Sequence, residues 1–119
     1  MNDLRFERFL LVAALLAACS GPPTPSIAER EIAAMAPLKK EYSDLVMGFD
    51  VHPASTLVVS VDLQSYVETD DDTLKAMRAD ALKRWRAAWI FAHPHAHETL
   101  HVRFIDFIGR KVASESTKA

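Results

Sequence analysis

Two stretches of alternating apolar and polar residues stand on either side of one long helical pattern, and that arrangement constrains the fold more than anything else in the chain. In "TLVVSVDLQ", Leu57, Val59, Val61 and Leu63 point one way, while Ser60, Asp62 and Gln64 point the other. That is the period of a strand with one dry and one wet face. In "ETLHVRF", Leu100, Val102 and Phe104 alternate with His101 and Arg103 in the same manner. Between the two, Leu74, Met77, Ala81, Trp85 and Ala88 recur at helical spacing, with Leu82 and Trp89 on one shoulder and Lys75, Lys83 and Arg86 opposite. Asp70, Asp71 and Asp72 sit at the start of this pattern, where the helix dipole favours negative charge and one of them is expected to cap. Strand, helix, strand in this order is a crossover unit, right-handed when the strands are parallel in one sheet.

Upstream, Ser26 and Glu29 form the sequence signature of a capping box. Ala28, Ile32, Met35, Leu38, Tyr42 and Leu45 follow as one apolar helical stripe. Pro37 lies inside it and predicts a kink or break, because proline lacks an amide and clashes with the preceding turn. Gly48 and the run Phe49 to Pro53 are read as the end of this helix. Downstream, Asp106 and Gly109 take the first and fourth places of a type I turn. "RKVASES" then returns as an edge strand with little to bury beyond Val112 and Ala113. Phe107 and Ile108 fall at the tip of that turn and form a candidate interaction surface, unless they fold back over the end of the core. The expected fold is α+β in the order α-β-α-β-β, a small three-stranded sheet with two helices packed on one face.

The N-terminus reads as an address. Arg5 and Arg8 lead, diluted by Asp3 and Glu7, and Phe9 to Ala18 is a continuous apolar run. At roughly ten residues it has the length of a signal-peptide core and not of a bilayer span. "Leu16-Ala17-Ala18-Cys19" closes it. This segment resembles bacterial lipoprotein signal peptides, whose lipobox it matches. The resemblance covers about the first twenty residues and implies that Cys19 receives a diacylglycerol, that the peptide is cut before it, and that the new amino group is acylated. Ser20 after the cysteine implies an outer-membrane lipoprotein facing the periplasm. The near-neutral leader departs from the usual basic one. "SGPPTPS" reads as an extended, semi-rigid tether. The organisation expected is thus a signal peptide over 1–18, a lipidated cysteine and tether over 19–26, and one small α+β domain over 27–119.

Composition narrows the function classes. A net charge of -2 gives no footprint for a nucleic-acid partner, and "LKRWRAAW" reads as a solvated basic face with its tryptophans turned inward. The 3 glycines are too dispersed for a phosphate-cradling loop, and the single cysteine excludes an intrachain disulfide. No nucleophile signature is present, so the chain is read as a non-enzyme. The one cluster of chemistry-bearing residues is "HPHAHETLH". If extended, His93, His95, His97 and His101 share one face of a strand, and neutral imidazoles suit zinc, copper or nickel. A solvated loop and strand edge explains the same pattern. Two functions follow. The first is a lipid-anchored envelope module that binds another protein, as an immunity-type inhibitor or a secretion accessory, with no cofactor beyond its covalent lipid. The second is a periplasmic metal-binding lipoprotein using the histidine cluster.

Overall fold

The computed structural model describes residues 25–53 and 55–119. Cys19, the lipobox and all of the proposed tether before Pro25 lie outside the described residues. The order of elements is α1 (Ile27–Ala34), α2 (Ala36–Glu41), β1 (Val46–His52), β2 (Thr56–Val61), α3 (Leu63–Glu68), α4 (Asp71–Ala92), β3 (Thr99–Ile105) and β4 (Lys111–Lys118). The strands form one 4-stranded sheet in the order β1-β2-β3-β4. Its outer pairs are antiparallel and its central pair, β2 with β3, is parallel.

The crossover is present as the alternation predicts: β2 leads through α3 and α4 into the parallel β3. Leu57, Val59 and Val61 of β2 and Leu100, Val102 and Phe104 of β3 are all buried in one core with Leu74, Met77, Ala81, Trp85 and Trp89 of α4. Trp89, not Ala88, continues the buried stripe of α4. The N-cap is Asp70, whose carboxylate accepts from the Thr73 amide at 2.9 Å and the Thr73 hydroxyl at 2.8 Å. These bonds hold the Asp70 carboxyl below its usual range.

The sheet has four strands where three were expected, and the additional one is β1. The helical stripe does not run to Gly48. Ser26 caps α1, accepting from the Glu29 amide at 3.1 Å. The helix then breaks at Met35, and Pro37 opens α2 near its N-terminus, where its missing amide costs nothing. The helical segment ends at Glu41, a turn over 42–45 follows, and "VMGFDVH" pairs antiparallel with β2. Phe49 and Val51 pack onto the core from this strand. A bulge between Val46 and Gly48 lets Val46 and Phe49 share a face despite their odd spacing. A second difference lies at Asp62. The strand stops at Val61, and the Asp62 carboxylate accepts from the Gln64 amide at 3.0 Å to start α3. Leu63 and Gln64 are therefore helical and not the end of β2.

The β3–β4 hairpin follows the predicted turn. The Gly109 amide donates to the Asp106 carbonyl at 3.0 Å, and Gly109 has φ 87°, a conformation that glycine adopts without steric cost. The side chain of Asp106 is almost fully buried within its own turn. Its Oδ1 accepts from the Ile108 amide at 3.1 Å and the Arg110 amide at 2.9 Å, and its Oδ2 accepts from the Arg110 guanidinium at 2.9 Å. No helix of the described residues is long and apolar enough to cross a membrane.

Candidate functional site

The histidines are dispersed by the link between α4 and β3. His93 is the C-cap of α4, and the Ala96 amide closes a turn onto the His93 carbonyl at 3.3 Å. Pro94 and His95 occupy that turn, so the extended register that would align His93, His95, His97 and His101 is not formed. His93 stacks on Trp89 with ring centroids 4.4 Å apart, and its Nδ1 lies 3.0 Å from the Trp89 carbonyl, which fixes Nδ1 as the protonated nitrogen. His95 and His97 are exposed. His101 stands on the face of the sheet that no described helix covers, where its Nδ1 meets the Ser116 hydroxyl at 2.8 Å. Among the described residues no group of three His, Cys, Asp or Glu side chains is placed to hold a metal ion. Titration calorimetry with zinc, copper or nickel on the Cys19→Ala chain is therefore expected to show only weak uptake. Replacing His93, His95 and His97 together by alanine should leave it nearly unchanged, because these side chains do not converge on one point. A tight site lost in that triple variant would establish the metal reading.

The face of the sheet that carries His101 is mostly polar, with buried Val58 and half-buried Ile105 set among its polar residues. Asp50, His52, Thr56, Ser60, Arg103, Ser114 and Ser116 stand on it in register. Its histidine–aspartate contact, His52 to Asp50 at 3.0 Å, is exposed on both sides, and solvent screening leaves such a pair little energy. At the hairpin tip Phe107 is 88% exposed and Ile108 58% exposed. The alternative in which they fold over the core end does not occur.

A different feature emerges between α1 and α4. Ile27, Glu31 and Ala34 recur at the spacing of one helix face and line a cleft of about 590 Å³ against Ala88, Phe91 and Ala92. Small residues on both helices keep its walls low. Phe91 stands 89% exposed at its rim. Glu31 is only 5% exposed, and its Oε2 is buried with no hydrogen-bond partner. Burial pushes the Glu31 carboxyl above the ordinary range, opposed by the nearby ring of His93. In sequence this site is hidden, because Glu31 reads as the polar side of a helix whose apolar stripe is Ala28, Ile32 and Met35.

An unpartnered carboxylate in such a place costs stability. Glu31→Leu is expected to raise the stability of the domain by about 1 kcal/mol, read as a higher urea midpoint with an unchanged slope. The sign with pH follows from the raised carboxyl. The native state holds its proton to higher pH than the unfolded chain does. The Glu31 contribution therefore improves as pH falls through the window between the two values, and Glu31→Leu should remove that component.

No family model, curated protein or solved structure matches this chain. The class defined by the structure is thus an α+β domain with a mixed sheet, helices on one face and a cleft between two of those helices.

Proposed function

We propose that the chain is a lipid-anchored protein of the cell envelope, held by acyl chains on Cys19 at the outer membrane and facing the periplasm, where its folded domain binds another protein without catalysing a reaction. The observation that carries this reading is the sequence Leu16-Ala17-Ala18-Cys19 at the end of a short apolar run, followed by a proline-rich segment. Two or more acyl chains hold a protein durably at a bilayer, whereas one does so only marginally. A domain of this size with exposed Phe91, Phe107 and Ile108 has apolar surface suited to a protein contact. An immunity-type inhibitor and an accessory of a secretion machine both fit this description.

The anchor is tested by labelling cells with palmitate. Wild-type chain should take up label and sediment with membranes, and Cys19→Ala should lose nearly all of both. An unlabelled wild type would remove the anchor. The binding role is tested by crosslinking in intact cells. One envelope protein should be recovered reproducibly with the wild type, and recovery of no consistent partner would overturn the role.

A further inference from the structure

We infer that the cleft between α1 and α4 is the seat of a partner helix that presents one lysine or arginine, flanked by apolar side chains, to Glu31. This deepens the proposed binding role and rests on it. Three observations lead there. The first is charge. Glu31 is 5% exposed, its Oε2 has no hydrogen-bond donor, and no salt bridge reaches it among the described residues. Buried carboxylates are normally paired, and the group that would complete this one is a cation brought from outside.

The second observation is shape. Ala34 on α1 and Ala88 on α4 present only methyl groups to the cleft, which lets a third backbone approach closely. A helix laid between two helices is a recurrent recognition mode, and it is read as apolar anchors three or four residues apart. The third is the rim. Phe91 is 89% exposed and Ile27 is 45% exposed. A small ligand is mostly enclosed by its pocket, so it would leave Phe91 in water. A helix crossing the cleft would cover both rim residues, and buried aromatics at such places carry much of the binding energy. Arg30 is the other charged residue of the cleft and is exposed. It favours an acidic residue on the partner about one turn from the cation.

The test is selection from a displayed library of amphipathic helices on the mature lipidated protein in detergent micelles. Enriched peptides should share one lysine or arginine with apolar residues three or four positions to each side. Glu31→Gln should weaken them at least tenfold while raising the melting temperature of the protein. Phe91→Ala should weaken them comparably, and Phe107→Ala should leave them unchanged. Absence of enrichment, enrichment without a basic position, or equal binding to Glu31→Gln overturns the proposal. Peptides that respond to Phe107→Ala and not to Glu31→Gln overturn the cleft while leaving the protein-binding role standing at the hairpin tip. A membrane would be the occupant instead if the Cys19→Ala chain bound vesicles of phosphatidylethanolamine and phosphatidylglycerol and lost that binding in Phe91→Ala. That result also overturns it.

Discussion

Trp85→Ala is expected to cost about 3–5 kcal/mol and to leave little folded protein at 37 °C, because a domain of this size has a total stability of about 5–10 kcal/mol. Trp85 is fully buried at the centre of α4 and contacts a core drawn from both the first and second halves of the chain. The surrounding strands cannot collapse into the space that its removal would leave without breaking the sheet. Its indole N–H also donates to the Ser55 carbonyl at 3.1 Å. The two contributions separate with Trp85→Phe. That variant keeps most of the packing and lacks the donor, and since the Ser55 carbonyl also accepts from the His101 amide at 3.1 Å, its loss should be about 1–2 kcal/mol. Urea unfolding of each variant in the Cys19→Ala background measures both. A Trp85→Ala loss below about 1.5 kcal/mol would show that the core is not organised around this residue.

Asp106→Ala should produce the largest loss of any polar substitution in the described domain, and its effect should be greatest at the hairpin tip. The carboxylate is the only side-chain acceptor for the Ile108 amide, the Arg110 amide and the Arg110 guanidinium among the described residues. Without it the hairpin tip has no internal acceptor for these groups. Amide exchange at Ile108 and Arg110 should accelerate at least ~10-fold, and by more than at Leu57 and Val59, whose exchange follows only the loss of global stability. Acid should reproduce the effect. Burial alone would raise the Asp106 carboxyl, but the amide and guanidinium of Arg110, with the Ile108 amide, outweigh it and hold the group below the usual carboxylate range. A depressed native value contributes stability that is complete above the unfolded value, near 4, and is lost as pH falls through the native one. Asp106→Asn should flatten that part of the stability profile. An unaltered acid limb in Asp106→Asn would assign the acid sensitivity to other carboxylates.

How much of this fold was legible in the sequence depends on how many residues each element had with which to show its period. β2, α4 and β3 were readable because each repeats its pattern several times and ends on a recognisable cap or turn. The break before Pro37 and the Asp106 turn were readable because proline and glycine act locally. β1 was not. It offers only Phe49 and Val51 in alternation, its bulge at Gly48 interrupts the period, and the glycine looks like a helix stop. α3 was concealed for a related reason. Asp62, Leu63 and Gln64 continue the alternation of β2, and only the capping geometry of Asp62 shows that the chain has turned into a helix. The histidine cluster was legible as composition but not as geometry, since shared parity aligns side chains only in an extended chain, and Pro94 lies in a turn. Glu31 was invisible as a site because what distinguishes it is the neighbouring helix α4, which no local pattern can announce.

The parallel seam between β2 and β3 has a kinetic consequence. β1 and β2 meet across a short turn, as do β3 and β4, so each half of the sheet closes from neighbouring residues. The pairs that join the halves, from Thr56 with His101 to Ser60 with Ile105, must wait for the intervening helices to be placed. Non-local closure of this kind sets the folding rate. The Ser55 carbonyl is the point at which that closure is registered, because it receives the indole of α4 and the first amide of the seam together. Removing the indole donor with Trp85→Phe should slow the joining of two halves that can each begin to form alone.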